Sequence, residues 1–360
     1  MSPRLKTFLA LLGSLLLGGG LLFLALRGVD FGMVWTALQT ATYGWLLPLI
    51  LLTILSHVLR AWRWQLLLGA LPDEHGQMKR PSFRVTFYSV MIGYMVNLAA
   101  PRLGEVARAA NVSAQTRLRF PGVFGTVVVE RVLDVLTLAL ALLSVGLLFG
   151  GRLAGVAEVF AANLQSALQG FPVLLLVLTG GVLLLALLGL LLVRRHRAAT
   201  GAPKTSRLGG LLRAFRDGLA SLLRVREKGA VLALTLGMWA CYLFMADIPL
   251  RMLGLTATYD LGLLDSWALM NVGAVGMALP APGGTGSFHY VTIQTLVHLF
   301  GVTESAAATY ALLTHAASLV LYAVVGFVCL LLQGTSFRAL RASAEAARTS
   351  GQAPSEPSPS

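Results

Sequence analysis

Charge is scarce in this chain. Asp, Glu, Lys and Arg together make up 12% of its 360 residues, about half of the roughly 25% carried by a soluble domain. That shortfall excludes an ordinary water-solvated surface. Acids are the rarer half, 15 Asp and Glu against 28 Lys and Arg. The two cysteines, Cys241 and Cys329, both fall inside apolar runs. They form neither a disulfide framework nor a metal-ligand spacing, and read as small core hydrophobes. The six histidines are scattered, with no HExxH or CxxC partner, so no metal and no cofactor are expected. A Gly-x4-Gly-Lys-Ser/Thr loop is missing, so any transport would be downhill or coupled to an ion or to membrane potential. A Gly-x-Ser-x-Gly nucleophile turn is missing as well.

Apolar length is what the chain has instead. A helix needs about 20 mostly apolar residues to cross a bilayer. Residues 8–26, 45–66, 124–149, 172–193, 230–250 and 306–332 each supply such a run. The first follows Arg4 and Lys6, exceeds the roughly 7–15 residues of a signal-peptide core and lacks a small-x-small cleavage site, so it reads as an uncleaved span. Two further apolar segments, about 85–108 and 261–300, are broken by proline, glycine and polar residues. The first break reads Asn97-Leu98-Ala99-Ala100-Pro101-Arg102-Leu103-Gly104-Glu105-Val106-Ala107-Arg108. The second reads Pro280-Ala281-Pro282-Gly283-Gly284-Thr285-Gly286-Ser287-Phe288-His289. Broken backbone at membrane depth is tolerated only where protein buries it or it lines a wet cavity. A matched pair, one in each half, points to a transporter's substrate site.

The net charge of +13 does not imply nucleic acid, because of where it sits. Residues 194–228 hold ten Lys and Arg against Asp217 and Glu227, directly after a span. Such placement sets topology and attracts anionic headgroups. The other basic stretches are the N-terminus and residues 60–84, 102–119 and 338–348. With both termini cytoplasmic, six spans place every basic stretch inside, provided that each broken segment returns to the side it entered from. The fold expected is therefore an all-α integral membrane protein of about six transmembrane helices plus two re-entrant hairpins in an inverted repeat. Residues 1–335 form one polytopic domain in this reading. Within 207–226 the apolar residues recur every three to four positions, the pattern of a helix on the cytoplasmic leaflet. The tail, 336–360, is expected to be cytoplasmic and disordered at its end.

Arg102, Glu105 and Arg108 are spaced by three, and share a face if Pro101 opens a helix. Arg suits phosphate through its planar fork, and Glu105 could orient the arginines or accept an amine; an ordinary basic anchor at a helix end is the plainer reading. Glu130, Arg131 and Asp134 lie inside a span. Ionisable groups there are costly and face a cavity or a partner, and Arg102 and Arg108 are the partners expected. A salt bridge that only fixes packing is the alternative. In Pro282, Gly283, Gly284, Thr285, Gly286 and Ser287, successive N–H groups could cradle an anion, with His289 a donor beside them. The rival is a close-packed turn. Arg60 and Arg63 read first as an interface anchor beside Trp62 and Trp64. Asn97, Arg60 and Arg63 are secondary site candidates, and His57 and Asp247 are isolated polar residues within spans.

Taken together, Trp62-Arg63-Trp64, Pro101-x-x-Gly104-Glu105-x-x-Arg108, Glu130-Arg131-x-x-Asp134 and Pro282-Gly283-Gly284-Thr285-Gly286 resemble the lysylphosphatidylglycerol synthase transmembrane-region family, the flippase-like domain proteins. The resemblance runs from about residue 11 to 332. It implies lipid translocation or the handling of lipid-linked intermediates in a bacterial inner membrane. Members include the membrane half of a factor that moves aminoacylated phosphatidylglycerol between leaflets. No soluble aminoacyl-transferase domain follows the last span, so aminoacylation is not expected. Many relatives carry an acid just after the glycine turn, where this chain has Ser287-Phe288-His289. A flippase or scramblase is thus expected, with membrane lipids of anionic headgroup as partners and a homo-oligomer or a lipid-synthesising enzyme as further ones. The alternatives are an integral lipid-modifying transferase or its accessory subunit, and a small-anion transporter.

Overall fold

The computed structural model describes residues 3–71, 77–99, 102–170, 225–279 and 281–334, with side chains from residue 12 and, in the longest helix, up to residue 151. Pro101, Pro280, the expected span at 172–193, nearly all of the expected interfacial helix at 207–226 and the tail at 336–360 lie outside the described residues. The chain divides into two compact units, Met1–Leu147 with Ala214–Ser360, and Leu148–Arg213. Of the second, the described part is the end of one long helix.

The described structure is all-helical. Its elements are α1 (Pro3–Leu26), α2 (Phe31–Thr40), α3 (Leu46–Leu68), α4 (Phe83–Ala99), α5 (Leu103–Gln115), α6 (Phe120–Gly170), α7 (Lys228–Met252), a single turn α8 (Leu255–Thr258), α9 (Leu263–Ala278), α10 (Ser287–Phe300) and α11 (Glu304–Leu332). Four helices are long and apolar enough to cross a membrane: Tyr43–Leu68, Phe120–Gly151, Lys228–Met252 and Glu304–Leu332. They cover four of the six expected spans. A fifth expected span, 8–26, falls within α1, which meets α2 at a bend of 83°. Local chemistry sets the ends. Asp30 caps α2 by accepting from the Gly32 and Met33 N–H groups, and Gly301 ends α10 in the left-handed conformation at φ 69°, where glycine is favoured.

Both broken segments fold back on themselves. In the first, Asn111 donates to Ser89 at 2.8 Å and the Gly104 N–H to Asn97 at 2.7 Å. Residues ever later in α5 thus meet residues ever earlier in α4, so the pair is antiparallel. The hairpin closes at Gly93 and Gly104, where a methyl group on Gly104 would overlap the Gly93 carbonyl. It runs on to Gln115, past the expected limit at residue 108. The second hairpin pairs α9 with α10 in the same sense. A Cβ on Gly276 would lie 2.8 Å from the Ser287 carbonyl, and one on Gly273 would lie 3.3 Å from the Thr292 hydroxyl.

The hairpins open at opposite ends of α11, a helix of about 43 Å at 1.5 Å per residue. At its end, Gln333 exchanges hydrogen bonds with Asn111 near the mouth of the first hairpin. At its start, Thr303 meets Tyr259 beside the mouth of the second. The tips meet: Arg102, at the turn of the first hairpin, donates to the Ala278 carbonyl at the end of α9 at 3.3 Å.

Candidate functional site

Charge inside the fold gathers on α3, α5 and α6. Arg60 and Arg63, one helical turn apart on α3, are 4% and 0% exposed, packed inside the fold and not standing free as a surface anchor would. The physical reason is that α6 runs antiparallel to α3 and sets Glu130 and Asp134 opposite them. Arg60 meets Glu130 at 3.0 Å and Asp134 at 2.9 Å. Arg63 meets Glu130 at 3.1 Å and Asp134 at 2.6 Å. Neighbouring Trp64 anchors the same face by donating to Thr126 at 2.9 Å.

Arg108 reaches this network as expected, 2.7 Å from Glu130, with its guanidinium 4.8 Å over the Trp64 ring. Arg102 does not. It precedes α5 in the left-handed conformation, φ 62°, so it falls off the face that Glu105 and Arg108 occupy. Its side chain turns to Ala278 instead of Glu130 and Asp134. Among the described residues it pairs with no carboxylate. Arg131 bridges Glu105 at 3.0 Å and Asp134 at 3.5 Å, and Asn97 donates to Glu105 at 3.5 Å while holding the start of α5.

The glycine turn is not an open anion cradle. Gly284 N–H donates to Ala281, Thr285 N–H to Pro282 and Gly286 N–H to His289 Nδ1. Ser287 donates its hydroxyl to the Gly284 carbonyl. These donors are spent within the turn. Gly283, Gly284 and Gly286, at φ 59°, 76° and 85°, serve conformation and close approach, because a methyl on Gly286 would overlap the Gly18 carbonyl of α1. His289 is buried, its ring 4.7 Å from that of His315. His57 is also buried, between Tyr94 and Tyr322, with neither ring nitrogen hydrogen-bonded. Asp247 is paired with Arg251 at 2.5 Å and accepts from Ser266 at 3.0 Å.

Between the hairpins lies a cavity of about 960 Å³. Arg60, Arg102, Glu105, Arg131 and Asp134 line it, as do Asn97, Gly283 and Gly284. Arg63, Arg108 and Glu130 stand behind its wall. Much of the lining is apolar or aromatic, and its tyrosines and His315 carry almost no signal in the sequence. Tyr242 accepts from Arg60 at 3.0 Å. A lone histidine or tyrosine in an apolar run is the faint signal that such residues leave. The arrangement can hold an anion against Arg102 and Arg131 while apolar walls accept hydrocarbon.

This is a multi-pass helical membrane protein with a charged cavity between paired hairpins. The chain belongs to the family described as the lysylphosphatidylglycerol synthase TM region, which matches residues 11–326. A curated relative, "Glycosyltransferase AglD" of Haloferax volcanii, is 27% identical over 335 residues, 87% of this chain and 53% of that protein. The chain thus spans about half the length of that relative. No solved structure matches.

Proposed function

We propose that this protein moves a phospholipid or lipid-linked intermediate between leaflets, as a flippase or scramblase of a bacterial inner membrane. The headgroup phosphate enters the cavity between the hairpins while the acyl chains stay in lipid. Arg102 is its first contact, since this arginine lines the cavity and carries charge that no carboxylate among the described residues offsets. That single observation carries the reading. Arg60, Arg108, Glu130 and Asp134 fix the wall, and Arg131, held by Glu105, completes the headgroup site. Family membership supports a lipid substrate. The opposed hairpins, and the antiparallel contacts of α3 with α7, Arg60 with Tyr242 and Arg63 with Thr235, support an inverted repeat with re-entrant segments. In that arrangement the hairpin tips meet near the midplane.

The test is leaflet exchange of fluorescent phosphatidylglycerol in vesicles reconstituted with purified protein. Arg102→Gly is the informative variant. Glycine accepts the left-handed backbone that costs other residues roughly 1–2 kcal/mol, so the fold is expected to hold. Exchange is expected to fall at least about tenfold, the loss of one charge-assisted contact. Unchanged exchange would remove the proposal.

The relative's printed name favours a second reading, an integral lipid-modifying transferase or its accessory subunit. A covalently altered lipid formed by the purified protein from a nucleotide-sugar donor would select it.

A further inference from the structure

The cavity wall is divided by charge along the chain. Among the described residues, every charged one in the lining, Arg60, Arg102, Glu105, Arg131 and Asp134, comes from the stretch before residue 140. Among its described residues, the wall built by 239–322 holds no Asp, Glu, Lys or Arg. Its polar groups are hydroxyls, an amide and an imidazole, among them Asn271, Thr314, His315 and Ser318.

Both lining carboxylates are already engaged. Glu105 is held by Arg131, and Asp134 by Arg60, Arg63 and Arg131. Arg102 adds a positive charge with no acid against it among the described residues. The carboxylate behind the wall, Glu130, is itself surrounded by Arg60, Arg63 and Arg108. Among the described lining residues nothing therefore remains to neutralise an incoming ammonium, and the surplus arginine repels one across a low-dielectric space. Aromatic faces attract cations, but they do so here against that surplus. The uncharged wall suits neutral hydroxyls instead. Thr314 donates its proton to Tyr310 O and Ser318 to Thr314 O, which leaves both oxygens as acceptors.

Resting on the translocation reading, we infer that the cavity selects lipids with an anionic phosphate carrying uncharged hydroxyls, a glycerol, inositol or sugar, and rejects a headgroup bearing a cationic aminoacyl group. The phosphate lies against Arg102 and Arg131, and the polyol against the wall of α9 and α11. The name of the family points to an aminoacylated lipid; the charges in this chain point away from one.

Phosphatidylcholine vesicles holding the full chain and trace fluorescent phosphatidylglycerol, phosphatidylinositol or lysylphosphatidylglycerol test this. The first two probes are expected to exchange at similar rates, at least tenfold faster than the third. Ser318→Asp places a carboxylate on the uncharged wall and is expected to shift that ratio at least threefold toward lysylphosphatidylglycerol. Ala257→Asp, an exposed position that does not line the cavity, is expected to leave it unchanged. Lysylphosphatidylglycerol exchanging as fast as phosphatidylglycerol in the unaltered protein would overturn the selectivity and leave translocation standing. Exchange of none of the three probes would take down translocation and the selectivity with it.

Discussion

Glu130 is fully buried and receives guanidinium groups from Arg60, Arg63 and Arg108. Charges so placed are costly to desolvate and are held by mutual attraction. Removing the acid leaves arginines packed against one another with Asp134 as the remaining counter-ion. Glu130→Ala is therefore expected to cost about 3–5 kcal/mol, the usual penalty for stranding a buried charge. A thermal melt in detergent reads this as a lowered midpoint, and an unchanged midpoint would mean that water already screens the cluster. The network thus has a structural role beside its place in the cavity wall. Arg102 is the contrast: its guanidinium donates to the tip of the other hairpin, and its removal is expected to touch exchange more than stability.

The hairpins rest on glycine where helices approach backbone to backbone. Gly104→Ala would drive a methyl into the Gly93 carbonyl and to 2.7 Å from the Asn97 side chain, whereas a methyl at Gly146 meets nothing within 4 Å. Gly104→Ala is expected to cost about 1–3 kcal/mol, as overpacking does, and Gly146→Ala to be neutral or slightly stabilising, since alanine is the better helix former. Equal effects on the melting midpoint would show that the close approach is not needed. These breaks were legible in the sequence because proline and glycine punctuate helices wherever they occur. The apolar spans at α3, α6, α7 and α11 were legible for the same reason, that length and hydropathy are local properties. The partners of the charges were not. Glu130 and Asp134 announced a need for cations, and the nearest break offered Arg102 and Arg108. Arg60 and Arg63 won because α3 lies antiparallel to α6, which is tertiary information. An apolar helix has no polar face to show which way its arginines point, so Trp62-Arg63-Trp64 looked like an anchor. Arg102 missed the network through one backbone angle, which spacing by three cannot reveal. The glycine turn looked open because the sequence lists its donors but not the acceptors, such as His289, that use them.

At the scale of the molecule, the loops fall at two faces of unequal charge. The mouth of the first hairpin, the end of α3 and the start of α7 share one face, where Arg80 pairs with Glu227. That face carries Lys79, Arg80, Arg84, Arg117, Arg119, Arg226 and Lys228. The other holds the mouth of the second hairpin and the contact of Asp30 with Ser305 at 3.2 Å, with Arg27 and Arg251 its basic residues near the helix ends. Basic loops are retained in the cytoplasm, so the translocation proposal puts the first face there and has each hairpin enter the bilayer and leave by the same side. Single cysteines in a Cys241→Ala, Cys329→Ala background test that directly, and the native thiols are buried and suited to removal. Lys79→Cys and Arg117→Cys flank the first hairpin and are both exposed. An impermeant maleimide is expected to label both in inside-out vesicles and neither in intact cells, while Ala257→Cys, exposed beside the second hairpin, shows the reverse. Labelling of Lys79→Cys and Arg117→Cys from opposite sides would make the first broken segment a full crossing. The tips would then no longer be two ends meeting inside the membrane, and the cavity between them would lose its place as a path for a headgroup.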